Sequence, residues 1–254
     1  MVEKGLVTII MAGGLGKRMN SKIPKVLHMV NNKPMLLKVI ETAVSMNSEK
    51  IFVVVGYFKD QIQRTLSMYM DITKLCFVEQ KEALGTGHAI LCSLPYLTEY
   101  RENKDILILS GDVPLINKSS LKILLDNKNL ACLITTEYEI PTGYGRIILD
   151  DEGKFNSIVE EKDCNESERL VKKVNTGVYL FDVSTLFTYL PRINNNNKQN
   201  EYYLTDIFKI IYNGQEGNEI ISAIDIPRDM QYQFKGVNTV EQLLEVENEE
   251  EKLR

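Results

Sequence analysis

Runs of apolar residues the length of a buried strand alternate along the chain with stretches whose apolar positions recur every three to four residues. Val7 to Met11, Ile51 to Gly56, Ile106 to Ser110, Ala131 to Thr136 and Gly177 to Phe181 form the first set. Their near-continuous Val, Ile and Leu content suits strands covered on both faces. Met35 to Met46, Asp60 to Met68, His88 to Leu94 and Leu121 to Asp126 form the second set, with helical spacing. This alternation predicts an α/β fold, a doubly wound and mostly parallel sheet with helices on both faces. Ligands of such sheets bind outside the carboxyl ends of the strands, where strand order reverses.

The later third is less regular. Asp163 to Lys173 reads as a charged loop and Asn194 to Lys198 as a polar one. A helix is expected over Leu204 to Tyr212, ending at Asn213-Gly214. A last helix is expected to start at the Thr239-x-x-Gln242 capping box and run into Glu-rich sequence. No internal repeat is visible, and 254 residues with 44% hydrophobic content suffice for one large α/β domain or a domain with a sizeable insertion.

Charge narrows the partners. Thirty Lys plus Arg against thirty-five Asp plus Glu leave a net charge of −5, which disfavours a general nucleic-acid surface and leaves room for a local basic pocket. Cys76, Cys92, Cys132 and Cys164 stand singly, without a C-x-x-C pair or a histidine at ligand spacing, so neither zinc nor a disulfide framework is expected. No stretch has the roughly 18 apolar residues of a membrane span, and the first residues lack the pattern of a signal peptide. A cytoplasmic protein without membrane contact is expected.

Directly after the first strand the chain reads Met11-Ala12-Gly13-Gly14-Leu15-Gly16-Lys17-Arg18-Met19, followed by Pro24-Lys25. Glycines let main-chain N–H groups approach an anion, and Lys17, Arg18 and Lys25 add positive charge. A dinucleotide fingerprint would need glycine where Met19 stands, and a Walker loop would need Lys-Ser/Thr where Lys17-Arg18 stands. A tight strand-to-helix connection accounts for the glycines alone, but not for clustered cations.

Further along, an apolar strand delivers Asp112 through Ser110-Gly111 to the expected ligand edge. A carboxylate there suits Mg²⁺, which takes one or two protein oxygens and completes its shell with water and phosphate; capping the turn before Pro114 would occupy the same residue. Gln80 to Ala89 places Gly85, Thr86 and Gly87 ahead of a helix, where main-chain donors can meet a polar ligand or simply close a loop. His28 and His88, the only histidines, lie among apolar neighbours and read first as packing residues. Tyr202 and Tyr203 read as packed aromatics at a helix start, with polar tips that could line a sugar site.

The segments MAGGLGKRM with PKVLH, EQKEALGTGHA, LSGDVPLI, PTGYGRI, IVEEKD, VNTGVY, EYYLTDI and KGVNT, in this order, resemble the N-acetylglucosamine-1-phosphate uridylyltransferases. The likeness is to the N-terminal half of the bifunctional bacterial type and spans nearly the whole chain. It implies a Rossmann-like nucleotide-diphospho-sugar transferase fold and a reaction in which UTP and N-acetylglucosamine 1-phosphate give UDP-N-acetylglucosamine and pyrophosphate. The chain is then expected to be one nucleotidyltransferase domain, with a nucleotide part over about 1–115, a sugar-phosphate part over about 116–238 and a C-terminal helix over 239–254. Without hexapeptide repeats, no acetyltransferase activity is expected of it.

Residue by residue, the resemblance places the nucleotide against Met11, Ala12, Gly13 and Gly14, with Arg18 facing the triphosphate and Lys25 at the reacting phosphate. Gln80, Gly85 and Thr86 fall where uracil is read. Asp112 and Asn238 match the Mg²⁺ ligands. Gly111, Gly145, Glu160, Asn175, Thr176 and Asn238 match the sugar-phosphate site. Lys17 and Ser110 depart from the family's usual threonine and frequent tyrosine. The implied mechanism is in-line attack of a sugar-phosphate oxygen on the α-phosphorus, with Arg18, Lys25 and Asp112 as the catalytic set. A related sugar phosphate or dTTP, a catalytically silent nucleotide sensor and a dinucleotide oxidoreductase are the alternative readings.

Overall fold

The computed structural model describes residues 4–14, 16, 19, 21, 23–127, 129–214 and 217–252. In chain order the first half gives β1 (Gly5–Met11), β2 (Met29–Val30), β3 (Lys33–Pro34), α1 (Met35–Ser45), β4 (Lys50–Val55), α2 (Lys59–Leu66), β5 (Leu75–Glu79), α3 (Thr86–Leu91), β6 (Lys104–Ser110) and α4 (Lys118–Leu125). The second half gives β7 (Ala131–Glu137), β8 (Arg146–Leu149), β9 (Phe155–Val159), α5 (Glu166–Arg169), β10 (Lys173–Asp182), α6 (Val183–Tyr189), α7 (Asp206–Tyr212), β11 (Ile221–Asp225) and α8 (Val240–Lys252).

Alternation along each central strand divides the interior in two. In β1, Leu6 and Ile10 face one core while Val7 and Ile9 face the other; Leu107 and Leu109 of β6 repeat the first side, Ile106 and Ile108 the second. The first face is covered by α1, α2 and α4 through residues such as Ile40, Leu66 and Leu121. The second is covered by α3, α6 and α7 through Ile90, Leu186 and Phe208. Burying a side chain of this size contributes about 1.5–3 kcal/mol, so every central strand is pinned from both sides.

The main sheet runs β11-β7-β10-β6-β1-β4-β5, and every neighbouring pair is parallel except the two that involve β10. From β1 the chain proceeds outward to β4 and β5, then crosses to β6 on the other side of β1. Strand order therefore reverses between β1 and β6, where Met11 stands in register with Ser110. Because β10 runs the opposite way, its beginning, not its end, reaches the ligand edge. The hairpin of β8 and β9 hangs from it.

The five expected strands and the doubly wound arrangement are present, with differences that have local causes. The strand expected over Gly177 to Phe181 starts at Lys173, because a bulge between Asn175 and Tyr179 and the positive φ of 79° at Gly177 interrupt the pattern without ending the strand. Within the stretch read as a loop, Glu166–Arg169 forms one helical turn, closed by a capping box between Asn165 and Glu168. The helix expected from His88 begins two residues earlier, at Thr86. Among the described residues, no helix is long and apolar enough to cross a membrane.

Candidate active site

The carboxyl ends of four strands are stitched together by main-chain bonds. Gly111 N donates to Met11 O (2.9 Å), Ala12 N to Val54 O (2.8 Å) and Gln80 N to Val55 O (2.8 Å). Above this rim lies a crevice of about 530 Å³ floored by Met11, Ala12, Gly13 and Gly14, with Lys25, Ser110 and Asp112 on one wall and Gln80, Gly85 and Thr86 on the other. Gly13 has no room for a side chain, since a Cβ there would stand 2.9 Å from Gln80 Oε1. Gly85 has φ of 107°, and a Cβ would come within 2.5 Å of the Tyr202 carbonyl. Arg18 and Lys17 lie outside the described residues.

At one end of the crevice an ammonium bridges two segments remote in sequence. Lys25, on the short 3₁₀ turn Lys25–Leu27, donates to Asp112 Oδ2 and to Asn238 Oδ1, the latter at 2.9 Å. Ser110 Oγ donates to the other Asp112 oxygen at 2.7 Å. Burial disfavours the Asp112 carboxylate, but the Lys25 charge and the bonds from Lys25 and Ser110 outweigh it and hold its pKa below the ordinary aspartate range. Asp112 is therefore anionic at neutral pH. The carboxylate and the Asn238 amide together present hard oxygens already arranged around one positive charge, a donor set that suits a divalent cation of the Mg²⁺ type. Among the described residues, no three His, Cys, Asp or Glu side chains gather as a metal cluster would require.

A second crevice, of about 190 Å³, opens on the far side of Asp112 and shares Met11, Thr86, Ser110 and Asp112 with the first. Its walls carry Gly145, Glu160, Asn175, Thr176, Thr205 and Asn238. Thr205 Oγ1 donates to Glu160 Oε1 at 2.8 Å, and burial pushes the Glu160 carboxyl above the ordinary glutamate range. The Asn175 amide nitrogen donates to the Tyr179 hydroxyl (2.6 Å), while its oxygen accepts from Gly177 N at 3.1 Å. Gly145 O accepts from Asn175 N at 2.9 Å. Two hydroxyls behave otherwise than a simple ligand contact would require: Thr176 Oγ1 donates to Ile134 O at 2.9 Å, and Thr86 Oγ1 accepts from Leu204 N at 3.0 Å. Gly111 is not among the residues that line either crevice; a Cβ there would meet the Met11 carbonyl and the Leu36 and Val26 side chains.

A family model described as nucleotidyl transferase matches residues 7–226. The chain belongs to the nucleotidyl transferase family. Its sequence is 41% identical to a probable UDP-N-acetylglucosamine pyrophosphorylase of Acanthamoeba polyphaga mimivirus, over 97% of each chain. It is 42% identical to the bifunctional protein GlmU of Alkaliphilus metalliredigens and 41% identical to that of Neisseria meningitidis, covering 95% and 97% of this chain. It spans about half the length of those bifunctional relatives, 51% and 52%. A crystal structure of a UDP-glucose pyrophosphorylase complexed with UDP-glucose shares the fold, with a TM-score of 0.72 at 22% identity over the full length of both chains.

Several residues that shape these crevices were not evident from the sequence. Thr205, in the EYYLTDI segment, supplies the hydroxyl beside Glu160, whereas Tyr203 directs its own hydroxyl to Gln199 at 2.8 Å. Arg146 is buried at 2% exposure. It donates to the Tyr144 carbonyl and, at 2.7 Å, to Glu161 Oε2, the same oxygen that accepts from Gly143 N at 3.2 Å. This pair fixes the 143–145 loop over the second crevice. Gln242 accepts from Asn238 N at 2.7 Å and donates its own amide to Thr239 Oγ1 at 3.3 Å. The expected capping box is thus half formed, its return bond taken one residue earlier by Asn238. The pattern S/T-x-x-Q was visible in sequence; which amide the glutamine reaches was not.

Proposed function

We propose that this nucleotidyl transferase moves a uridylyl group from UTP to N-acetylglucosamine 1-phosphate, yielding UDP-N-acetylglucosamine and pyrophosphate. The observation that carries this reading is the position of Asp112 at the junction of two crevices, one glycine-floored and one lined by short polar groups. Residues up to about 115 would hold the nucleotide and 116–238 the sugar phosphate.

In this reading Met11, Ala12, Gly13 and Gly14 offer main chain to the nucleotide, Gln80, Gly85 and Thr86 meet the base, and Lys25 and Arg18 meet the phosphates. Gly111, Gly145, Glu160, Asn175, Thr176 and Asn238 surround the sugar phosphate. Asp112 and Asn238 would hold Mg²⁺, which supplies charge neutralisation to the phosphate oxygens when bound. One oxygen of the sugar phosphate attacks the α-phosphorus, and the bond to the β-phosphate bridging oxygen breaks, releasing pyrophosphate. A phosphate monoester has a second pKa of about 6 and is largely dianionic at neutral pH, so it needs no general base. Lys25 then holds the attacked phosphate in line, and the work of the protein is positioning and charge stabilisation.

The deciding experiment is pyrophosphate release with UTP and N-acetylglucosamine 1-phosphate, with and without Mg²⁺, beside glucose 1-phosphate and dTTP. Release that requires the acetamido sugar, UTP and the metal is expected. Faster release with glucose 1-phosphate or dTTP would reassign the substrate, and none with any pair would remove the reading.

A further inference from the structure

We propose that His88 is a positioning residue that fixes which end of the Gln80 amide faces the nucleotide base, and thereby sets discrimination between uracil and cytosine. The inference rests on the reading of Gln80 as the base-facing residue.

Gln80 is 7% exposed and stands at the inner wall of the larger crevice. Its side-chain nitrogen lies 3.0 Å from Gly85 O and 3.2 Å from His88 Nδ1. An amide nitrogen can only donate, so both of its hydrogens are engaged and His88 Nδ1 is the acceptor. That leaves Nδ1 without a proton and assigns the ring proton to Nε2, with Cys92 Sγ beside the ring at 3.8 Å from Nε2 and 4.0 Å from Nδ1. Tyr202 lies beside the ring, with centroids 6.2 Å apart.

With its nitrogen tied down twice, Gln80 turns Oε1 into the crevice, against the space that Gly13 leaves by lacking a Cβ. A fixed carbonyl oxygen accepts from an N–H. Uracil carries one at N3, whereas cytosine has a lone pair there, so the orientation favours UTP and repels CTP. Gly85 O alone would hold only one amide hydrogen. The second partner on α3 is what keeps the group from rocking out of plane or turning its NH₂ toward the base.

Substitution separates the acceptor from the bulk. His88→Asn puts an amide oxygen close to where Nδ1 stands, while His88→Leu fills the site without an acceptor and His88→Gln carries its oxygen one bond too far. The readout is the ratio of kcat/KM for UTP to that for CTP, together with calorimetric Kd values for the two nucleotides. Gln80→Ala serves as the calibrating variant and is expected to collapse the ratio. His88→Leu and His88→Gln are expected to lower the ratio about tenfold, the scale of one misplaced buried hydrogen bond, with His88→Asn within about threefold of the parent. An unchanged ratio in His88→Leu and His88→Gln, with Gln80→Ala collapsed, would overturn the role of His88. An unchanged ratio in Gln80→Ala would overturn the base reading beneath it, and the proposal with it.

Discussion

The amide of Val237 donates to the carbonyl of Asp112 at 2.9 Å. This one main-chain bond ties the turn after β6 to the segment that leads into α8, and places the Asn238 oxygen and the Asp112 carboxylate on the same Lys25 ammonium. The last helix is thereby part of the site's foundation. It packs Val246 with Val30, Met35 and Leu115 and pairs Glu250 with Lys38 at 2.6 Å.

Asp112→Asn preserves shape and removes charge. Turnover is expected to fall by roughly two to three orders of magnitude, as when a preorganised group at a reacting centre is lost, with an unchanged far-ultraviolet circular dichroism spectrum. Lys25→Ala should fall by a similar factor. The double variant should lose much less than the product of the two, because the residues act as a unit. Near-parent kcat in either single variant would take that residue out of the reacting centre.

Two glycines of the larger crevice should respond differently to alanine. A Cβ on Gly14 meets nothing within 4 Å, so Gly14→Ala should change stability by no more than about 0.5 kcal/mol yet raise KM for UTP if phosphate approaches that backbone. Gly85→Ala combines positive φ with a backbone clash at Tyr202, and should cost about 2 kcal/mol or more. Urea titrations with parallel UTP kinetics distinguish the cases. A stable Gly85→Ala would contradict the packing described for this loop.

The strands legible in sequence were those with both faces buried, because continuous Val, Ile and Leu runs such as Ile106 to Leu109 admit few other readings. β5, β8, β9 and β11 are short and only partly buried, and in β9 and β11 the residues Asn156, Ser157 and Ser222 interrupt the apolar run. Within the site, Asp112 could be read from the strand that delivers it. Asn175 could not be placed by that rule, since it enters from the beginning of an antiparallel strand. Arg146, although within the PTGYGRI segment, gave no sign of its own role: an arginine after a glycine looks like a surface residue until Glu161 comes within 2.7 Å through the β8–β9 pairing.

That pair carries its own expectation. Arg146 is buried, and removing its charge leaves Glu161 with Gly143 and Arg169 as partners. Arg146→Ala should destabilise by about 3 kcal/mol, the lower end for breaking a buried pair, and should raise KM for the sugar phosphate more than KM for UTP. Unfolding midpoints and two-substrate kinetics measure both. Equal effects on the two KM values would detach the 143–145 loop from the second crevice.

Glu160 predicts a pH dependence of stability. Its native pKa is raised by burial, so between the ordinary glutamate value and the raised one the folded chain binds more protons than the unfolded chain. Stability therefore falls as pH rises through that window. Glu160→Gln keeps an oxygen for Thr205 and removes the charge. It should match the parent in acid, become more stable than the parent above the window, and bind the sugar phosphate less tightly. Unfolding free energies measured from pH 4 to 8 give the difference curve; a gap independent of pH would mean that Glu160 does not ionise in a desolvated place.

Gln242 provides the last test, because it reaches the proposed metal position only through the backbone of Asn238. Gln242→Ala removes the acceptor of the Asn238 amide while keeping the main-chain bond of residue 242 to Thr239, at a cost of about 1 kcal/mol in stability. If Asn238 is a ligand, loosening its backbone should weaken divalent-metal binding about tenfold, the usual penalty for losing an outer-shell support. Mn²⁺ titration followed by electron paramagnetic resonance reads this without turnover. The same loss should persist in Lys25→Ala, where no ammonium competes for the two oxygens. An unaltered Mn²⁺ affinity in Gln242→Ala would leave Asp112 as the protein's contribution to the metal and return Asn238 to a structural role beside Lys25.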